Sequence, residues 1–253
     1  MSLICYEYPV SERIRTMLRL ENLYQRLGHF AQGRGRADHH GALLTLFEII
    51  DVAGRSDLKV DLLQELERQR QALQHYAALP DADRTAVTSV LRDIETADTA
   101  LRQAVGKTGH HLRGVEWLAA LRSRSAVPGG VCEFDLPMYH YWLSQDHTAR
   151  YGDLEKWIVP TLPIREAIRI VLRLLRANAR REKAVADKGI FQETQNGRVA
   201  QLIRVRLPVS ERVIPEISAN KFVLNIRFLQ PDIDGRPRPA ARAVGFELSY
   251  CAI

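Results

Sequence analysis

The chain has 253 residues, of which 46% are hydrophobic and 26% are charged, and this is the composition of an ordinary globular protein. Its net charge of +6 favours acidic partners such as nucleic acid, anionic lipid or an acidic peptide, although a solvated basic surface explains so modest an excess more simply. The cysteines are sparse, far apart and form no CxxC pair, which argues against a disulfide framework and fits a reducing cytoplasm.

The sequence shows no membrane or secretion signal. No apolar run approaches the roughly 18–20 residues that a membrane-spanning helix needs. The first ten residues lack a basic segment and reach Glu7 too early for a signal peptide. We therefore expect a cytoplasmic protein that does not bind membranes.

Apolar residues recur at helical spacing from Ser11, a plausible helix cap, to about Arg181. Prolines and glycines divide this region into several segments, and Gly33–Gly41 is the loosest of them and is predicted to be a loop. Several long helices with short connections indicate a helical bundle.

After about Lys188 the apolar period changes to two, as in Phe222–Phe228, which is typical of strands with one buried face. Asn196-Gly197 lies between two such runs and predicts a hairpin. Leu3–Tyr8 also has the pattern of a strand, and it would most simply join the C-terminal sheet.

The predicted fold class is therefore α+β, with an N-terminal and central helical bundle beside a mainly antiparallel sheet. The expected boundaries are a helical domain at 9–187 and a β domain at 188–253 that includes the strand 3–8.

No catalytic or metal-binding motif is present. The chain lacks a P-loop, GxSxG, HExxH and GxGxxG. The pairs His39-His40 and His110-His111 are adjacent, whereas two ligands on one helical face would need a spacing of three or four residues. We expect no cofactor and no enzymatic activity, and a small-molecule enzyme is the least favoured of the functions considered.

One predicted helix carries a stripe of arginines opposite an apolar face. The arginines recur every three or four residues: Arg165, Arg169, Arg173, Arg176 and Arg180. The solvated side of an amphipathic helix explains this stripe without any binding role.

The most informative segment is Arg122–Leu143. Gly129 and Gly130 allow backbone conformations closed to other residues, and Asp135 precedes Pro137 at the start of an aromatic run, as at many helix starts. These features predict a rigid turn that leads into a short aromatic helix.

This segment resembles the ZapD family of bacterial cell division proteins, which carries a PGG-x-C-x-FDLP-x-x-H-x-WL block matched by Pro128–Leu143. Further blocks of that family follow the same order along the chain: RTMLRLENL (Arg15–Leu23), DHHGAL (Asp38–Leu43), LLQELERQ (Leu62–Gln69), PEIS (Pro215–Ser218) and IRF (Ile226–Phe228). The resemblance thus covers nearly the whole chain.

The resemblance implies a non-enzymatic adaptor, a symmetric homodimer that binds the acidic and apolar C-terminal tail of the tubulin-like protein FtsZ. Such an adaptor would cross-link FtsZ protofilaments in the Z-ring, in the cytoplasm at mid-cell. The positions matched to the family's tail-binding residues are Arg15, Arg19, Arg55, Arg122, His140 and Arg227. Each of these has a structural alternative, such as pairing with a carboxylate at a domain junction. Where the family has a further basic residue, this chain has Glu116-Trp117, which departs from the pattern.

A helical nucleic-acid-binding protein is the alternative function, since the chain is basic. The charge excess is modest, however, and no nucleic-acid-binding motif appears in the sequence. We therefore expect a protein partner and no nucleic acid.

Overall fold

The computed structural model describes residues 2–54, 57–195, 197 and 200–252. By spatial contacts the chain divides into two compact units, a helical unit of Thr16–Leu172 and a β unit of Met1–Arg15 with Arg173–Ile253. The α+β class, with helices in the middle of the chain and a sheet built from both of its ends, is confirmed. The β unit begins before the expected boundary at 188, because a strand at Ala179–Ala186 pairs within it.

The helices, in chain order, are α1 (Glu12–Gln32), α2 (Arg36–Gly54), α3 (Leu58–Ala77), α4 (Arg84–Gln103), α5 (Glu116–Arg124), α6 (Pro137–Ser144), α7 (His147–Ile158) and α8 (Leu162–Ala177). The boundaries between the two units fall within α1 and α8. Among the helices that the structure describes, none combines the length and the apolar composition of a membrane span.

The predicted loop at Gly33–Gly41 is wrong over most of its length, because α2 already begins at Arg36. The side chain of Asp38 accepts a hydrogen bond from the Gly35 amide at 2.9 Å, which satisfies a donor just before the helix. Leu43 and other apolar residues of α2 are fully buried. Packing of this face stabilises a helix that the polar, glycine-containing sequence did not predict.

The strands are β1 (Leu3–Pro9), β2 (Ala179–Ala186), β3 (Ile190–Thr194), β4 (Leu202–Pro208), β5 (Ile214–Ala219), β6 (Val223–Gln230), β7 (Arg238–Pro239) and β8 (Val244–Cys251). One sheet has the order β1-β4-β8-β2, and the other has the order β3-β6-β5, with β7 also paired to β6. All these pairings are antiparallel.

The two sheets pack face to face around one apolar core. Alternate residues of β4, β6 and β8 point into it, as the period of two requires. Phe246 of the first sheet meets Phe228 of the second with ring centroids 5.0 Å apart. The Phe191 ring lies 5.3 Å from the Phe246 ring, edge to face.

The hairpin predicted at Asn196-Gly197 does not join paired strands, because β3 and β4 on either side belong to different sheets. Asn196 itself lies outside the described residues. Asn220 occupies the turn between β5 and β6, which do pair. Its side-chain oxygen accepts hydrogen bonds from the amides of Phe222 and Val223 at 2.8 and 2.9 Å.

The arginine stripe is interrupted rather than continuous. Arg180 lies in β2, beyond the end of α8. Arg165 and Arg169 both pair with Glu166, at 2.8 and 2.7 Å, and Arg176 pairs with Glu7 at 2.7 Å. These carboxylates neutralise much of the charge along the helix.

Candidate functional site

The turn before α6 requires its glycines. Gly129 has φ +70°, a conformation that other residues rarely adopt. At Gly130 a Cβ atom would lie 2.8 Å from the carbonyl oxygen of Arg124, too close for any side chain. The amide of Gly130 donates to the Val127 carbonyl at 2.9 Å. The PGG sequence therefore fixes the conformation of the turn that connects α5 to α6.

The predicted helix start is present, with Pro137 in the first turn of α6, where its missing N–H costs nothing. Asp135 does not cap the helix. Its side chain accepts a hydrogen bond from the Arg124 guanidinium at 2.7 Å, so it ties the turn to the end of α5.

The inner face of α6 is anchored in an aromatic cluster. Tyr139 and Trp142 are buried, and the Trp142 ring centroid lies 5.5 Å from that of Trp117 in α5 and 5.8 Å from that of Trp157 in α7. The Trp142 indole N–H donates to the carboxylate of Asp153 at 3.2 Å. The cluster holds α5, α6 and α7 in a fixed arrangement.

The outer face of α6 is exposed and largely apolar. His140 points to solvent there, between Met138 and Tyr141, which are 50% and 60% exposed. Phe134 in the preceding turn is 80% exposed. Sequence reasoning did not single out these apolar residues, although helical spacing could have: once Tyr139 and Trp142 face the core, Met138 and Tyr141 must face outward.

A buried arginine of α7 connects α6 with the start of α2, and sequence reasoning did not identify it. Arg150 in α7 donates to His39 Nδ1 at 2.9 Å and to the carbonyls of Leu143 and Arg34 at 3.1 and 3.0 Å. Burial, together with the Arg150 charge, lowers the pKa of His39. Burial lowers the pKa of His40 as well, and His40 Nδ1 lies 2.6 Å from the Tyr139 hydroxyl. The pKa of Tyr139 is raised to about 12 by burial.

Arg122 lies on α5, the helix directly before this turn. Its guanidinium pairs with Asp51 of α2, and the two side chains are 43% and 47% exposed. An exposed ion pair contributes only roughly 0–1 kcal/mol to stability. An acidic ligand could therefore replace Asp51 as the partner of Arg122 at little cost in free energy.

Arg15 and Arg19 both lie on α1 but in different units. The Arg15 guanidinium pairs with Glu12 at 3.1 Å, donates to the Pro9 carbonyl at 3.4 Å and lies 6.0 Å from the centre of the Tyr8 ring. Arg15 thus has a structural role at the start of the helix. Arg19 is exposed and belongs to the helical unit.

Arg227 is exposed on the outer face of β6, directly opposite Glu216 of β5 and Ile190 of β3. Arg55 lies outside the described residues. The structure therefore places Arg19, Arg122 and His140 in the helical unit, with the last two on successive helices, and places Arg15 and Arg227 in the β unit.

Two grooves of the helical unit have apolar floors. One, of about 180 Å³, lies between α1, α7 and α8 over Leu27 and Leu154, with Arg165 at its rim. The other, of about 400 Å³, lies between α3 and α4 over Leu66 and Ile94, with charged side chains of both signs around it. Either groove could receive an apolar side chain of a bound peptide.

The described residues contain no group of three or more side chains placed to hold a metal ion. The buried His39 accepts a hydrogen bond from Arg150, and the half-buried His40 is hydrogen-bonded to Tyr139, so both contribute to packing.

Comparisons with known proteins place the chain in a family. The sequence profile of ZapD, described as a cell division protein, matches residues 18–227. Cell division protein ZapD of Azoarcus sp. (strain BH72) is 55% identical over 251 residues, covering 99% of this chain and 100% of that protein. Those of Aromatoleum aromaticum and Dechloromonas aromatica are 54% and 49% identical, each over 250 residues, and the alignments cover 99% and 98% of this chain and 98% and 99% of those proteins. The chain therefore belongs to the ZapD family of cell division proteins.

Proposed function

We propose that this protein binds the C-terminal tail of FtsZ and cross-links FtsZ protofilaments, promoting assembly and stability of the Z-ring. The observation that carries the proposal is full-length similarity to cell division proteins of the ZapD family, at 49–55% identity. The protein would act as a non-enzymatic adaptor in the cytoplasm at mid-cell, as a homodimer and without a cofactor.

The chemistry of the exposed arginines supports this function. The planar guanidinium group binds a carboxylate through two hydrogen bonds, and its stem packs on apolar groups, so it suits an acidic and apolar tail. Arg122 and His140 offer basic groups on successive helices of the helical unit, and His140 lies beside the exposed apolar side chains of α6. Because the contacts are exposed, salt should weaken binding.

The deciding experiment is co-sedimentation with FtsZ filaments, with and without the last residues of FtsZ. Binding should require those residues and should fall as salt is raised. Binding that ignores their removal would contradict tail recognition. Strong binding to duplex DNA under the same conditions would favour the nucleic-acid alternative instead.

A further inference from the structure

A groove on the open side of the β unit is not used by the proposed function. It has a volume of about 630 Å³, and β1 contributes Ile4 and Tyr6 to its wall. The rest of its lining comes from the segment 209–213 between β4 and β5, from Ile214 at the start of β5, and from Gln230, Pro231 and Arg242. Since β1 ends one sheet and β5 ends the other, the groove lies where no strand of the described ranges covers the sandwich.

Judged from the residues that the structure describes, the edge of β1 beside this groove has unpaired backbone groups. The amide of Val209 donates to the Ser2 carbonyl at 3.1 Å, and the amide of Val10 donates to the Gln201 carbonyl at 3.0 Å. Antiparallel pairs alternate between bonded and non-bonded positions, so the even-numbered residues of β1 bond to β4. The N–H and C=O groups of Leu3, Cys5 and Glu7 therefore point away from the sheet.

This free edge is short and exposed. Leu3 and Ile4 are 60% and 36% exposed, and Cys5 is exposed as well. Pro9 ends the edge, since it has no N–H and its carbonyl accepts from Arg15 at 3.4 Å. An edge left open in this way is a template for an added strand.

The groove also carries positive charge in a strained loop. Arg212 has φ +48°, which is unusual for a residue with a side chain, and it is exposed. Within the described part of the chain no carboxylate pairs with it, whereas the neighbouring Arg242 pairs with Glu211 at 2.7 Å. Among the described residues that line the groove, Arg212 is therefore an uncompensated cation beside the apolar side chains of Ile4 and Val209.

We propose that β1 and this groove bind an extended peptide by strand addition. The peptide would pair with Leu3–Glu7, place alternate apolar side chains beside Ile4 and Tyr6, and direct a carboxylate to Arg212. A second copy of this chain that paired through its own β1 would fit less well. Its Tyr6 would have to enter the groove, but that side chain already packs against the core of its own sandwich. The site is distinct from the basic groups of the helical unit.

The test uses a short capped peptide in which valine alternates with threonine, followed by two glutamates. We expect saturable binding and chemical-shift changes at the amides of Leu3–Glu7 in nuclear magnetic resonance spectra of the intact protein. A lysine-ended peptide should bind more weakly. A version with N-methylated amides along one edge should not bind, because it cannot pair as a strand.

Two variants separate the contribution of backbone pairing to binding from that of the Arg212 charge. Cys5→Pro removes an outward N–H at an edge position that tolerates proline, and it should abolish binding. Arg212→Gly removes the cation and relieves the positive φ, and it should weaken binding of the acidic peptide by roughly two- to fivefold. It should leave the affinity for the lysine-ended peptide undiminished, with no loss of melting temperature.

The proposal is overturned if the amides of β1 do not shift, or if binding is unchanged in Arg212→Gly and for the N-methylated peptide. It is also overturned if the edge instead pairs two copies of the chain. In that case the solution mass would rise with concentration, and Cys5→Pro would abolish the rise. FtsZ is absent from these measurements, so their outcome is separate from that of the tail-binding proposal.

Discussion

Arg122 has a close counterpart in Arg26. Both side chains are 43% exposed, and each pairs with a carboxylate of α2, Asp51 for Arg122 and Glu48 for Arg26. Their similar contacts mean that their contributions to folding should be similar and small. If variants at the two positions then differ in binding affinity, the difference comes from contact with the ligand and not from folding. Arg26 is therefore a matched control for Arg122.

We predict that Arg122→Glu reduces the affinity for the FtsZ tail by roughly two- to tenfold, whereas Arg26→Glu leaves it nearly unchanged. Charge reversal repels the acidic tail only at a position that the bound tail approaches, and we expect this of Arg122 but not of Arg26. Fluorescence anisotropy with a labelled tail peptide would measure both affinities. Equal losses in the two variants would mean that Arg122 contributes only to the general charge of the surface.

His39 should make the stability of the protein depend on pH. Its pKa is lowered in the folded state by burial and by Arg150, so the unfolded chain takes up a proton first. The stabilising contribution of neutral His39 is therefore present above the unfolded pKa of about 6.5 and is lost as the pH falls below it. Asp38 favours the charged form, whereas His147 opposes it. His40, whose pKa is lowered by burial alone, adds to the dependence in the same direction.

The measurement is urea-induced unfolding at several pH values between about 7.5 and 5.5. We expect the free energy of unfolding to decrease across this range. His39→Asn, which keeps an oxygen near the position of Nδ1 for Arg150, should reduce the decrease. A pH dependence identical in the variant and the parent would assign the effect to other groups.

Among the elements, α6 shows how a short helix can be held in place by its surroundings. It has only eight residues, and its position depends on the buried aromatic rings of its neighbours and on the turn before it. A helix of this length would not be stable alone in water. The turn should therefore be sensitive to a single added methyl group.

We predict that Gly130→Ala lowers the free energy of unfolding by about 1–3 kcal/mol, because the new Cβ would lie 2.8 Å from the Arg124 carbonyl oxygen. Gly152→Ala in α7 is the matched control, since no atom lies within 4 Å of the position its Cβ would take. In a helix interior that change should be neutral or stabilising, by up to about 1 kcal/mol. Thermal or chemical unfolding of the two variants would show the difference.

At the scale of the whole molecule, bundling of filaments should require a two-fold dimer. A monomer with one tail site could bind a filament but could not join two. A dimer with two equivalent sites would hold neighbouring filaments, and a repeated array of weak tails would add avidity without new contacts.

The prediction is tested by light scattering for the mass in solution, followed by filament pelleting over a range of protein concentrations. Low-speed pelleting of bundles should appear only at concentrations where the dimer forms. High-speed pelleting of the protein bound to single filaments should persist below them. A stable monomer that bundles filaments would overturn the mechanism.

The amino-acid sequence by itself determined the class of the fold and the family. Periods of 3.6 and 2 report directly which face of an element is buried, so the helices and the strand alternation in Phe222–Phe228 could be predicted locally. The block Pro128–Leu143 also predicted its own turn and helix start, because glycine and proline act through local backbone geometry.

Only the tertiary structure decided which elements pair and which charges are neutralised. The sequence suggested a hairpin after β3, but β4 pairs instead with β1 and β8, because pairing depends on long-range burial rather than on the turn. Likewise the partner of Arg122 lies 71 residues away in the chain, and no local pattern could identify it. Contacts between distant residues depend on packing of the whole unit, and for this reason the ion pairs of the arginines and the open edge of β1 became visible only in three dimensions.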